Sequence, residues 1–419
     1  MSRTTRAARV VLLALILAPA WTHGQVEVPA RPEPQPYRKG AQEPLDFRGP
    51  GREEPEPDVS EVVLGWFGPG DPNHPEFGTL WRGALVALEQ ENAAGGYRGR
   101  SPAPGETASE GKPFRLEPAW SENPWQAGIA DLVRLVYDRR AWAVIGGVDG
   151  TSTHLAVQVA LKSHFLLLSP GSSDVSADRA NVPWLFSLPP SDEAVAPVIV
   201  DALAREAAGG GFVIAASTDH AAHAALVAFR HELGRRRLVP AALVEIAAAG
   251  PDSDAVAAHL MEQRPRAVLV LAPAGQAGRL VATLRAAGFA GTILGGATAA
   301  GTAFRLAAGR AAEGVLAPRS VEPGARWDPF AAAYEKKWGT APDEPAANGY
   351  DAVKLIVAAV RSAGLNRARI RDAVRALAPW SGAGGPVRWD ALGRNQRSVG
   401  LGRWTASNLE PHVQATVGP

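Results

Sequence analysis

No cysteine occurs anywhere in the 419 residues, and methionine appears only twice. The missing thiols exclude disulfides, thiolate nucleophiles and Cys-based zinc or iron–sulfur centres. A charge excess of either sign is also lacking: Lys+Arg number 43 against Asp+Glu 42, a formal net charge of +1. Such balance leaves no electrostatic footprint for nucleic acid, and no basic run interleaves with aromatics. Long apolar runs are scarce. The N-terminal one, residues 10–19, is too short for a comfortable membrane span. Catalytic signatures are missing as well: there is no Gly-x-Ser-x-Gly elbow and no Gly-rich loop ending in Gly-Lys-Ser/Thr. Nothing in the sequence places two carboxylates together for acid–base work.

What is present begins with a processing signal. Arg3, Arg6 and Arg9 precede the apolar run, and small residues follow, with cleavage expected after Gly24 or after Ala20. Residues 1–24 therefore read as an export signal, and the expected location is periplasmic or secreted. Residues 25–60 are rich in Pro, Glu and Arg and cannot bury enough surface to offset chain entropy, so a disordered linker is expected there. From residue 61 apolar runs alternate with segments of helical period. Strands are predicted at 62–66, 114–118, 142–146, 165–168, 212–216, 241–246, 267–271 and 292–295, with helices between them. Three helices then follow in succession, at 329–338, 347–363 and 367–377. This rhythm implies parallel sheets covered on both faces. More than eight units is many for one sheet, so two lobes are expected, with a (β/α)8 barrel as the alternative.

The most informative stretch is AVIGGVDGTSTHLAVQVALKSHFLLLSPGSSD, residues 143–174. A buried strand ends at Gly146-Gly147 and Thr151 or Ser152 is expected to cap the next helix. The neighbouring strand ends at Leu168, and Ser169-Pro170-Gly171-Ser172-Ser173 forms its loop. Two adjacent strand ends would thus bring backbone N–H groups and hydroxyls to one point at a sheet's carboxyl edge. Open α/β sheets bind ligands there, and a helix N-terminus favours an anionic group such as a carboxylate.

With these motifs the chain resembles type I periplasmic solute-binding proteins of the branched-chain amino-acid (Leu/Ile/Val) ABC-transporter class. The resemblance runs from about Val62 to Trp404. Its marks are RGALVALEQENAAGGYRGR at 82–100, the 144–173 stretch, LRAAGFAGTILGG at 284–296, FAAAYEKKWGTAPDEPAANGYDAVKLIVAAVRSAG at 330–364 and GPVRWDALG at 385–393. It implies an α/β fold of two Rossmann-like lobes joined by three crossover strands, near Pro189, Ala317 and Gly384. One lobe would comprise residues 61–188 and 319–379, the other 189–318 and 380–409. It further implies ligand contacts at Gly150, Thr151, Ser152, Gly171, Ser172, Ser173 and Thr298, with Phe77 as a pocket wall. The absent cysteine departs from the lipid-anchored members of such a family.

The second lobe departs further. Pro273-Ala274 stands where the family has an aromatic, Ala297-Thr298 where it has an acidic partner for an ammonium, and Ala221-Ala222 where it has Tyr-Gly. An unpaired ammonium in a closed cleft costs several kcal/mol, so a plain α-amino acid is not the expected cargo. Asp219 or Asp149 could substitute as the acidic partner. His220-x-x-His223, with His231, has no carboxylate at ligand spacing and reads as solvated helix histidines, so no metal or other cofactor is expected. Trp66, Trp81, Trp120 and Trp125 read as core before pocket wall. The expected function is capture of a small carboxylate-bearing ligand by hinge closure, without chemistry, for an ABC permease or a membrane sensor. The expected state is a monomer with no membrane span after signal cleavage. The alternative is an interaction module that kept the fold and lost the small-molecule site.

Overall fold

In the computed structural model, residues 47, 51–99, 111–121, 127–248 and 253–412 are described. The expected export signal, most of the Pro-rich stretch and Trp125 lie outside them. Strand β1 (Val62–Phe67), helix α1 (Gly78–Ala93), β2 (Phe114–Ala119), α2 (Ile129–Tyr137), β3 (Ala143–Gly146), α3 (Gly150–Ser163), β4 (Leu166–Ser169), α4 (Val175–Arg179) and β5 (Leu185–Ser187) build the first lobe. Its sheet has the order β2-β1-β3-β4-β5 and every pairing is parallel. β3 and β4 are buried along their whole length, as their unbroken apolar composition requires when helices cover both faces.

The chain then enters the second lobe through α5 (Asp192–Glu206), β6 (Phe212–Ser217), α6 (His220–Arg235), β7 (Ala242–Ile246), α7 (Ser253–Glu262), β8 (Ala267–Leu271), α8 (Ala274–Ala286), β9 (Thr292–Gly295), α9 (Thr302–Ala308) and β10 (Leu316–Arg319). Helices α10 (Trp327–Trp338), α11 (Glu344–Ala363) and α12 (Arg367–Ala376) return to the first lobe. There Phe330, Tyr334, Val353 and Ile356 share one core with Val62, Leu64 and Trp66. α1 and α11 touch backbone to backbone: a Cβ at Gly83 would lie 1.9 Å from the Ala346 carbonyl oxygen, and one at Gly349 2.0 Å from that of Leu80. Tyr350 packs on Phe330 and donates to Gln90 at 2.7 Å.

β11 (Trp380–Ser381) and β12 (Pro386–Val387) pair with each other, while β13 (Gly400–Trp404) and β14 (Leu409–Pro411) complete the second sheet, order β14-β13-β10-β9-β8-β6-β7. β13 runs antiparallel to β10 and to β14; the other pairings are parallel.

Two boundaries differ from the sequence reading. Ala383 and Val387 sit in the first lobe's core, and Arg394 bridges Ser187 of β5, so the last crossing falls between 395 and 400 and not near Gly384. The packed chain also starts before residue 61. Phe47 is buried between His164 and Trp184, Arg52 pairs with Asp372, and Asn366 donates to the Gly51 carbonyl. Phe47, Arg52, Val59 and the Gly51 carbonyl make these contacts within a segment whose average composition argues against packing. No helix among the described residues is long and apolar enough to cross a membrane.

Candidate functional site between the lobes

The carboxyl ends of both sheets meet around a cavity of about 440 Å³, within the range of small-molecule sites. On the first-lobe side its lining includes Phe77, Trp120, Gly150, Thr151, Gly171, Ser172 and Ser173. Opposite stand Asp219 after β6, Pro273-Ala274 after β8 and Ala297-Thr298 after β9. Seven of the eight residues singled out from the sequence therefore share one cavity wall or the other, and Ser152 does not line it. Trp120 belongs to the wall, whereas Trp66 and Trp81 pack on each other in the core.

The cap of α3 explains where Ser152 goes. Asp149, not Thr151 or Ser152, is the N-cap: its Oδ1 accepts from the Ser152 N–H at 2.7 Å, and Ser152 Oγ accepts from the Asp149 N–H at 3.2 Å. This reciprocal box turns Ser152 inward, where it is fully buried. The Ser152 and Thr153 amides both donate to Asp149, so the first-turn N–H groups left at the cavity wall are those of Gly150 and Thr151. They are positioned for a negatively charged group, reinforced by the helix dipole.

Hydroxyls expected as donors are engaged elsewhere. Ser173 Oγ donates to Asp192 Oδ2 at 3.1 Å, and Thr298 Oγ1 donates to the Ala272 carbonyl at 2.7 Å. The acidic groups were harder to foresee. Asp192, at the start of α5, is 3% exposed, and its Oδ1 has no hydrogen-bond partner. Asp219 uses Oδ1 to cap α6, accepting from Ala222 N–H at 3.0 Å, while its buried Oδ2 has none. Both acidic candidates line the cavity and cap a helix through Oδ1; the Oδ2 of Asp219 is buried without a partner. Among the described residues no Lys or Arg lines the cavity.

Burial pushes the Asp192 carboxyl up from its ordinary 3.8 to about 7, against the opposing hydrogen bond from Ser173. Between these values the unfolded chain has lost this proton and the folded chain keeps it. The stability so contributed is complete below about pH 4 and is lost as pH rises through about 7, by up to about 1.4 kcal/mol per pH unit. Asp192→Asn is expected to flatten this part of the stability profile, followed by chemical denaturation from pH 5 to 8. A slope equal to the parent's would contradict the assignment.

Hydrogen bonds cross the cleft and hold the lobes together. The Gly275 N–H donates to Glu76 Oε1 at 2.9 Å, the Thr302 N–H to Asp343 Oδ2 at 2.8 Å, and His220 Nε2 lies 2.9 Å from Asp174 Oδ2. Burial raises the Glu76 carboxyl, with the Gly275 bond opposing. The arrangement is that of a cleft closed over a cavity, with the first-turn amides of α3 on one wall, Asp219 on the other, and further carboxylates such as Glu76, Asp149 and Asp174 on the amide side.

Residues 70–408 match the family described as periplasmic binding protein. An amino acid binding protein of Pseudomonas aeruginosa is 28% identical over 131 residues, which are 31% of this chain and 32% of that protein. The chain thus spans about a third of the length of that relative. Among solved structures, a branched-chain amino acid transporter substrate binding protein of Streptococcus pneumoniae, in complex with isoleucine, superposes with a TM-score of 0.73 at 21% identity. That match covers 84% of this chain and 98% of that one. A solute binding protein of an ABC transporter from R. palustris, in complex with benzoate, gives 0.71 at 18% identity over 86% and 98% of the two chains. At such identities the likeness shows the fold: two α/β lobes of the type I periplasmic-binding kind. By the matched span and this architecture, the chain belongs to the periplasmic binding protein family, a non-enzymatic family of solute binders.

Proposed function

We propose that this chain is an exported receptor that closes around one small, carboxylate-bearing molecule and presents it to an ABC permease or a membrane sensor. The observation that carries the reading is the cavity itself, with the Gly150 and Thr151 amides on one wall and the unpartnered Asp219 Oδ2 on the other. A ligand with a carboxylate at one end, an apolar body and a hydrogen-bond donor toward the other end satisfies both. Phe77 and Trp120 provide the apolar wall for that body. The isoleucine, benzoate and 3,4-dihydroxybenzoic acid of similar solved proteins all carry a carboxylate on an apolar frame, which supports this class. The donor is received at Asp219 and not in the loop after β9, where Ala297 and Thr298 bring no charge. That shift favours ligands other than a plain α-amino acid.

Closure would follow from contacts available only when both walls reach the ligand, which shifts the open–closed equilibrium. Thermal shift and calorimetry with leucine, isoleucine, benzoate and 3,4-dihydroxybenzoate test the reading. At least one carboxylate is expected to raise the melting temperature. Asp219→Asn should weaken ligands carrying an ammonium or hydroxyl and leave benzoate unchanged. No shift across this and wider metabolite panels would favour the second reading, an interaction module without a small-molecule site, which the side-chain-poor Ala221, Ala222 and Ala297 wall motivates.

A further inference from the structure

His154 on α3, Asp174 in the loop after β4 and His220 at the start of α6 converge at the edge of the cleft, two from the first lobe and one from the second. Both imidazole Nε2 atoms approach the same carboxylate oxygen, His220 at 2.9 Å and His154 at 3.2 Å from Asp174 Oδ2, and His154 Nε2 also lies 2.8 Å from Ser176 Oγ. The three donor atoms lie within 4.8 Å of one another. Ligand atoms that share a zinc-type ion at about 2.0–2.1 Å stand roughly 2.9–3.4 Å apart for bond angles of 90–109°. The two nitrogen–oxygen separations fall in that interval, which ordinary hydrogen bonds also occupy; the two imidazole nitrogens, within 4.8 Å of each other, must come to no more than about 4.2 Å for both to reach one ion.

The surroundings suit an ion as well. Asp174 Oδ1 is fixed by the Ser176 N–H at 2.8 Å and its hydroxyl at 2.7 Å, which orients Oδ2 toward the two rings. The carboxylate is buried, with 2% of its side chain exposed, whereas the histidine side chains are 30% and 45% exposed and give an entry path. We propose that His154, Asp174 and His220 form a divalent transition-metal site of the zinc class that bridges the two lobes, with coordination positions left for water or solute.

Two consequences follow. Because ligands come from both lobes, metal binding and closure are coupled, so each favours the other. The site also abuts the anion-binding wall: a Cβ at Gly150 would lie 3.1 Å from Asp174 Oδ2 and 3.3 Å from His220 Cδ2. An ion there brings positive charge to a cavity that no described Lys or Arg lines.

The test uses tag-free protein, stripped with chelator and titrated with Zn2+ alone by calorimetry, beside His154→Ala, His220→Ala and His223→Ala. His223 is exposed on the same helix and lies outside the cluster. One zinc per chain is expected, with affinity at least tenfold weaker in His154→Ala and in His220→Ala and unchanged in His223→Ala. Small-angle scattering should show a zinc-induced compaction that His220→Ala abolishes. Absence of saturable binding, parental affinity in either cluster variant, or loss of affinity in His223→Ala overturns the proposal.

Discussion

Replacing Arg394 by alanine is expected to cost about 3–5 kcal/mol of stability, the largest effect of any single substitution considered. Its guanidinium is 3% exposed and pairs with Asp178, whose side chain is fully buried; Nε lies 2.7 Å from Asp178 Oδ2. Nη1 donates to the carbonyls of Ser172 at 2.6 Å and Pro189 at 3.1 Å, and Nη2 to that of Asp174 at 2.8 Å. Truncation strands a buried carboxylate and three carbonyls at once. Because those carbonyls belong to the ligand loop and to the first crossing between lobes, affinity should fall with stability. Arg394→Lys should recover only part of both, since a point charge cannot span partners that a planar fork reaches together. Denaturant midpoints of the three proteins check this; a loss below about 1 kcal/mol in Arg394→Ala would show that the pair is dispensable.

The second large effect is expected at Gly171. A Cβ there would sit 2.3 Å from the Val148 carbonyl oxygen and 2.9 Å from its carbon, backbone atoms that cannot swing aside. Gly171→Val must therefore part the loops after β3 and β4, which are the two strand ends forming the anion-binding wall. Overpacking of this kind costs about 1–3 kcal/mol. The affinity for whichever carboxylate the parent binds should fall more than tenfold, because the Gly150 and Thr151 amides lose their register with the Ser172–Ser173 loop. Calorimetry on both proteins decides, and parental affinity in the variant would show that the loop spacing is not part of recognition.

The contrast between these two residues shows what the sequence made legible. Gly171 belongs to a local pattern of strand, Gly-rich loop and next element, and local patterns also gave the alternation of strands and helices along the chain and the expectation of two lobes. Arg394 offered no such signal, because its partners Asp178 and Ser172 lie 216 and 222 residues away in the chain. The same limit hid the His154–Asp174–His220 cluster, whose members are 20 and 46 residues from Asp174. His220 was read against His223, its neighbour in sequence, when its partners in space were across the cleft.

Hydroxyl counting misled in a related way. A serine at a sheet edge looks like a ligand donor, yet Ser152 completes a capping box and Ser173 spends its proton on Asp192. Only the surrounding hydrogen-bond network reveals which groups remain for a guest. The buried oxygens without a partner, on Asp192 and Asp219, sit at helix starts where an acidic residue is ordinary as a cap or in the first turn, so nothing in their spacing set them apart.

The closed cleft is expected to hold a small molecule which the protein does not transform. Mass spectrometry of the solvent extract from protein purified under native conditions tests it most directly. A carboxylate-bearing compound should be recovered unaltered at about one per chain and should restore the parent's melting temperature when added back to stripped protein. An extract with no stoichiometric compound, from protein whose melting temperature no metabolite raises, would contradict it.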